Sequence, residues 1–180
     1  RPDLMGDRTS LTLAQGMTGI LEHTFLNVKN TSKTITAKVT LEGNDRGVIL
    51  CQGGKFGGWA LYMDQGKPAY TYNWFGLHSY TVAATEAIRG DQAEIKLQFD
   101  YDEAGEGRGK GGKATIYVNG KQVAAGRIEK TQPALYSADE TADVGIDEAT
   151  PVANKVFKDA EDSKFTGFVD EVTISIPARK

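Results

Sequence analysis

Apolar and polar residues alternate with a period of two along much of the chain, which is the pattern of half-buried β-strands. The segment 46–52 is mostly apolar instead, and this predicts a strand that is buried on both faces. The segment 165–176 alternates again and is predicted to be the last strand. Its apolar positions are Val172, Ile174 and Ile176. Another alternating strand is predicted from Thr34 onward, with apolar positions at Ile35, Ala37, Val39 and Leu41.

Two β-hairpins are predicted from turn sequences. In residues 58–74, Gln65-Gly66 is flanked by alternating runs, and a two-residue loop there fixes the register. The second hairpin turns at Asn119-Gly120, a dipeptide that accepts positive φ at both turn positions. The cross-strand pairs expected in the first hairpin are Leu61 with Tyr70 and Trp59 with Tyr72.

The distribution of glycine also favours a β protein. The chain has 21 glycines, which separate short stretches rich in Val, Ile, Thr, Tyr and Phe. No stretch has the period of an amphipathic helix for more than about two turns. The sequence therefore predicts an all-β fold built as an antiparallel sandwich.

Length and composition limit the classes of protein. The 180 residues suffice for one sizeable core, which we place at 31–180, after a lead-in segment at 1–30. The net charge is −3 with both signs mixed, and no apolar run is long enough to span a bilayer, so neither nucleic acid nor membrane is an expected partner. Cys51, His23 and His78 are too few for a Cys/His metal site.

Aromatic residues are concentrated between positions 59 and 80. Trp59, Tyr70 and Tyr72 share a strand face with apolar neighbours and are predicted to be core residues. Sugar-binding sites often use exposed aromatic faces. The candidates for an exposed ligand-binding platform are Tyr62, Phe75 and Tyr80.

The densest group of carboxylates gives a candidate calcium site at Asp139, Asp143 and Asp147. Alternation puts Val144 and Ile146 on the core face and the two aspartates Asp143 and Asp147 on the opposite face. The alternative, which we favour, is a solvated strand face that binds no metal.

Three patterns of catalytic or phosphate-binding type are rejected on their context. The glycine-rich string 107–113 is followed by a strand, whereas phosphate-binding loops need a helix there. Neither histidine has neighbours that suggest a triad. No Glu precedes an Asp by two positions, as is common in β-sandwich glycosidases. No catalytic residue is therefore assigned.

Several sequence blocks resemble known families. Residues 165–174 and 117–123 resemble the closing strand and a hairpin of laminin-G-like or concanavalin A-like jelly rolls. Further blocks, in the same order over nearly the whole chain, resemble the C-terminal region of bacterial arylsulfatases. These blocks are Gly6-Asp7-Arg8-Thr9-Ser10, Gly16-Met17-Thr18-Gly19, Asn27-Val28-Lys29-Asn30, Ile35-Thr36-Ala37, residues 52–58 and Asp143-Val144-Gly145-Ile146-Asp147.

The resemblance implies a jelly-roll accessory domain of an arylsulfatase, a sulfuric ester hydrolase. The domain would pack on a preceding catalytic domain of the same chain, to which residues 1–30 lead back, and would shape the substrate cleft. The parent enzyme would use calcium and formylglycine, which this region does not need, and would be a periplasmic or secreted bacterial protein. An independent carbohydrate-binding module, with a glycan as partner, is the alternative.

One string fits the family's formylglycine motif, Cys/Ser-x-Pro-x-Arg, at Ser175 to Arg179. In the family this motif opens a helix in a metal site, whereas Ser175 ends a predicted strand. We therefore expect no sulfatase activity from this chain, which begins at Arg1-Pro2 and is interpreted as a processed product or an excised fragment.

Overall fold

The computed structural model describes residues 4–136 and 141–178, which form two antiparallel β-sheets. The strands, numbered in chain order, are β1 Ser10–Leu13, β2 Lys33–Thr40, β3 Gly47–Gly54, β4 Gly57–Asp64, β5 Lys67–Trp74, β6 His78–Ala83, β7 Gln92–Tyr101, β8 Lys110–Val118, β9 Lys121–Lys130, β10 Ala142–Val144 and β11 Phe168–Ser175. Two short 3₁₀ helices are Glu22–Thr24 and Glu161–Ser163.

The two sheets pack face to face as a sandwich, so the predicted all-β jelly-roll class is confirmed. The six-stranded sheet has the order β1-β11-β2-β7-β8-β9, and the five-stranded sheet has the order β10-β3-β4-β5-β6. The apolar alternation of β2 and β11 faces the core as expected. Apolar side chains from both inner faces form one cluster, and their removal from water stabilises the contact between the sheets.

Both predicted hairpins are present, and the first has the predicted register. Leu61 pairs with Tyr70 and Trp59 with Tyr72, across a loop in which Gln65 and Gly66 have φ of 50° and 74°. These angles are those of a type I′ turn, which matches the twist of paired strands. The Asn119-Gly120 turn joins β8 to β9 with φ of 49° and 82°.

The outer face of the five-stranded sheet is covered by residues 147–165, which form a third layer. Val152 and Phe157 of this covering segment pack on Cys51 and Tyr62 in a second apolar cluster. Arg46 fixes the segment, because its guanidinium donates hydrogen bonds to the main-chain oxygens of Asp162 and Val156 and to the Asp162 carboxylate. This layer explains why every residue of β3 is buried.

Residues 4–30 contribute to the same sandwich. Strand β1 pairs with β11 at the edge of the six-stranded sheet, and Phe25, Leu26 and Val28 lie in the main core. The division at residue 30 and its link to a preceding catalytic domain stay predictions. Among the described residues, no helix has the length and apolar character needed to cross a membrane.

Candidate functional site

Exposed apolar and aromatic side chains collect at one end of the sandwich. The β3–β4 and β5–β6 turns lie at this end because β3 to β6 form an antiparallel meander. Phe56 is 61% exposed and Leu77 is 70% exposed, although large apolar side chains are usually buried. We call this surface the end patch. Its members are Phe56, Trp74, Phe75, Leu77, His78 and Tyr80.

The β5–β6 turn holds Phe75 in an unfavourable conformation. Leu77 N–H donates to the Trp74 carbonyl at 2.9 Å, and Phe75 and Gly76 have φ of 52° and 71°. Asn, Asp or Gly usually occupies the first of these type I′ positions, and a bulky residue with positive φ is an outlier. Phe75 is also 44% exposed. A strained and exposed aromatic residue of this kind indicates a functional position.

Asn73 holds the two turns of the end patch together. Its buried side-chain amide donates to the Lys55 carbonyl at 2.9 Å and accepts from Gly76 N–H at 2.9 Å. A Cβ atom at Gly76 would lie 3.0 Å from the Lys55 carbonyl oxygen and 3.6 Å from Phe56. Phe56 therefore lies directly beside the β5–β6 turn, and its position is fixed by main-chain packing.

Four aromatic rings of the end patch form a row. The centroids of Trp74 and Phe75 are 5.2 Å apart with the planes at 76°. Trp74 pairs with His78 across β5 and β6, and their ring centroids are 6.4 Å apart at 30°. The ring centroids of His78 and Tyr80 are 6.3 Å apart, and the two ring planes are at 32°. Phe75 and His78 are exposed in this row, whereas Trp74 and Tyr80 are half-buried and Tyr80 also packs against the main core.

Gln132 supports the end patch from the side. Its buried side chain donates to the carbonyls of Leu135 and Tyr136 at 3.3 and 3.4 Å, and Phe75 N–H points to its Oε1 at 3.5 Å. A Cβ atom at Gly57 would lie 2.2 Å from that same oxygen, so only glycine fits there. These contacts place the exposed Leu135 next to the end patch.

Two lysines stand over rings of the end patch. The Lys130 Nζ is 5.0 Å from the ring centroid of Trp74, and the Lys55 Nζ is 4.9 Å from that of Phe56. Both side chains are exposed. Within residues 4–136 and 141–178, neither lysine forms an ion pair.

The structure places Phe75 and Tyr80, two of the three predicted platform residues, on the end patch. The prediction that Tyr62 is exposed is wrong. Tyr62 is 2% exposed, its ring packs edge-on against Phe157 at 5.5 Å, and its burial raises the pKa of its hydroxyl. Alternation correctly placed Tyr62 away from the main core, but the covering segment closes that face. Whether Phe75 and Tyr80 bind a ligand stays a prediction.

Sequence reasoning missed the contribution of Phe56, Trp74 and Leu77. A usable signal existed for Phe56, because a large apolar residue between two glycine doublets has no strand to bury it. Trp74 has the strand periodicity of the core residues Tyr70 and Tyr72. It is less buried than they are because it is the last residue of β5 and lies at the end of the sandwich.

The solvated-face prediction for Asp143 and Asp147 is also wrong, because both side chains are fully buried. Asp143 accepts hydrogen bonds from the main-chain N–H groups of Gly19 and Glu148 at 2.8 and 3.1 Å. Asp147 accepts one from Val152 N–H at 2.8 Å. The Asp143 carboxylate thus joins β10 to the loops at Gly19 and Glu148, and the Asp147 carboxylate joins two residues within the covering segment.

The described part of the candidate calcium site does not suit calcium. Oxygen atoms of Asp143 and Asp147 lie within 4.8 Å of each other and of the Cys51 sulfur. Calcium needs six to eight oxygen ligands, whereas this site offers a thiol and two carboxylates that both accept hydrogen bonds from main-chain N–H groups. Burial, and the two aspartates, raise the pKa of that thiol, so it stays protonated. Asp139 lies outside the described residues.

Comparisons with known proteins address the fold. No protein-family model matches the chain, and no curated protein matches it. Solved structures do match. A carbohydrate-binding module (CBM40) of a Ruminococcus gnavus sialidase, bound to α2,6-sialyllactose, superposes with a TM-score of 0.54 at 14% identity over 96% of this chain and 93% of that chain.

A second match is the LG4-5 region of the mouse laminin α1 chain, with a TM-score of 0.51 at 11% identity over 96% of this chain and 40% of that one. This chain is a concanavalin A-like, laminin-G-like β-sandwich. Identities this low show the shared fold of the sandwich and nothing finer. Function must therefore be argued from the end patch of the laminin-G-like sandwich.

Proposed function

We propose that this laminin-G-like sandwich is a carbohydrate-binding module and that its end patch binds the glycan. The observation that carries the proposal is the row of rings on a strained turn, from Phe75 through Trp74 and His78 to Tyr80. Sugar rings have apolar C–H faces, which stack on aromatic side chains and remove apolar surface from water.

Two properties make a structural role a poor explanation for Phe75. Its positive φ costs on the order of 1 kcal/mol. Phe75 is also 44% exposed, so the fold leaves nearly half of its surface without a packing partner. A bound ligand that covers the ring would bury that surface.

The solved structures add a supporting analogy. The CBM40 neighbour, which covers almost the same length, is described with a bound sialyllactose. The analogy concerns only the class of ligand, because a shared fold does not fix the position or chemistry of a site.

Phe75→Asn tests the proposal. Asparagine suits a type I′ turn, so this variant should lose the ring without losing stability. We expect glycan affinity to fall at least about tenfold, which is about 1.4 kcal/mol, while the melting temperature stays equal or rises. Affinity electrophoresis in gels that contain neutral or acidic polysaccharides measures the binding.

Gln65→Asn is the matched control. Gln65 occupies the same position of the type I′ turn at the opposite end of β5, so the exchange makes the same change to a turn far from the end patch. It should leave glycan retention unchanged. Equal retention of Phe75→Asn, Gln65→Asn and wild type would contradict the proposed site, and no retention of wild type in any gel would contradict the proposed function.

The arylsulfatase accessory domain remains a second candidate function. It is favoured by the ordered sequence blocks and by two exposed aliphatic side chains, Leu77 and Leu135, which suit a protein contact better than a sugar. In a longer polypeptide that includes a sulfatase domain, packing through the end patch would slow amide hydrogen exchange at residues 75–77. Exchange that is unchanged there would count against this role.

A further inference from the structure

We infer that the glycan bound at the end patch is acidic and carries carboxylate or sulfate groups, with Lys55 and Lys130 as the groups that recognise the charge. The inference rests on the proposed glycan-binding function and adds the chemical class of the ligand. It is carried by the positions of the two ammonium groups over rings of the aromatic surface.

The lysine positions disfavour a neutral sugar. A sugar that stacks on Trp74 must move the Lys130 ammonium away from the ring face and end that cation–π contact. A neutral sugar gives the displaced ammonium no charged partner. An acidic group on the sugar edge accepts a charge-assisted hydrogen bond from it and so replaces the lost contact.

The strand ends beside the end patch carry charges of both signs, within a chain whose net charge is −3. Lys110 lies opposite Lys130 in the β8–β9 register and adds a third cation. Asp102, which follows β7, and Glu129 of β9 form ion pairs with Arg127, and neither of them forms an ion pair with Lys110 or Lys130.

Lys110 itself is already engaged. Its Nζ donates to the carbonyls of Glu103 and Gly105 at 3.1 and 3.3 Å and lies 5.4 Å from the ring centroid of Tyr101. It is therefore not assigned a direct contact with the ligand. We assign direct contact with the acidic groups to Lys55 and Lys130, whose ammonium groups lie over the rings of Phe56 and Trp74.

The test compares three oligosaccharide probes by isothermal titration. They are a neutral galactan, a sulfated galactan and a polygalacturonate, and the last two distinguish sulfate from carboxylate. We expect the wild type to prefer at least one charged probe by about tenfold. This preference should weaken from about 0.05 M to about 0.5 M NaCl, because salt screens exposed charges.

The double variant Lys55→Met and Lys130→Met keeps the apolar stems but removes the charges. It should lose about tenfold in affinity for the preferred charged probe. Its affinity for the neutral probe should rise, because stacking on Trp74 no longer ends a cation–π contact. Lys121→Met is the matched control, since Lys121 is an exposed lysine at the far end of β9. It should bind all probes as the wild type does.

The outcomes separate this inference from the proposed function. Preference of the wild type for the neutral galactan, or unchanged affinity of the double lysine variant for the charged probes, overturns the acidic ligand and leaves the glycan site standing. A wild type that binds none of the three probes overturns both.

Discussion

Lys33 is the most unusual single residue of the molecule. It opens β2 and points into the core, where its side chain is 2% exposed. Four rings surround its Nζ, with centroids 4.8 to 5.8 Å away; they belong to Trp59, Tyr70, Tyr72 and Phe99. Burial, with a smaller effect of Lys29, lowers the pKa of Lys33 to about 7.

This pKa makes the stability of the fold depend on pH. Between about pH 7 and 10.5, the usual pKa of a lysine, the unfolded chain keeps the Lys33 proton and the folded protein releases it. The unfolded state then binds more protons, so the contribution of Lys33 to stability rises with pH in this window. Below about pH 7 the destabilisation by Lys33 is complete. Cys51 and the buried tyrosines have raised pKa values, so their contributions to stability fall as the pH rises above the usual pKa of each group.

Replacing Lys33 by Met isolates this effect, because Met fills a similar volume without a charge. At about pH 7, Lys33→Met should be more stable than the wild type. The difference in unfolding free energy should shrink by roughly 3 kcal/mol on going to about pH 9.5. Urea denaturation of both proteins across this range measures it, and a difference that stays constant would contradict the assigned pKa.

At the scale of elements, the covering segment decides which sheet faces are buried. Phe157 is its main apolar contact, since the ring packs on Tyr62 and beneath the Arg46 guanidinium at 4.8 Å. Sequence periodicity identified β3, β4 and the outward direction of Tyr62 and Asp143. It could not show that residues 147–165 cover that face. This segment forms no strand and only one short 3₁₀ helix, so it has no apolar period from which its buried side could be predicted.

Removal of the Phe157 side chain should destabilise the protein by roughly 3–5 kcal/mol, as for other buried phenylalanines replaced by alanine. The only cysteine, Cys51, reports on the layer because the segment buries it completely. In Phe157→Ala, a thiol reagent should modify Cys51 about two orders of magnitude faster than in wild type, as the open population grows.

Phe168→Ala is the control for this experiment, because Phe168 is 51% exposed and lies outside the second cluster. Its unfolding free energy and its rate of thiol modification should stay close to those of wild type. Equal thiol rates in Phe157→Ala and wild type would show that the covering segment does not protect Cys51.

At the scale of the whole molecule, the sequence predicted the sandwich better than the site. Turn chemistry at Gln65-Gly66 and Asn119-Gly120 is local, so both hairpins, and the register of the first, follow from nearby residues, whereas the register shift between Ile116 and Tyr117 in the second was not predicted. The end patch combines two turns with β6 and the end of β9. Its assembly depends on contacts between distant segments, and only Phe75 and Tyr80 were identified from their own context.

The two tryptophans provide the most direct test of glycan binding at the end patch. Trp59 is fully buried in the core and Trp74 belongs to the row of rings, so the chain carries one internal reference and one reporter. In a ¹⁵N-labelled sample, a Trp74→Phe variant assigns the two indole N–H signals. On titration with a binding oligosaccharide, the account predicts a saturable shift of the Trp74 signal and a fixed Trp59 signal. A bound glycan that leaves the Trp74 signal unmoved would contradict it.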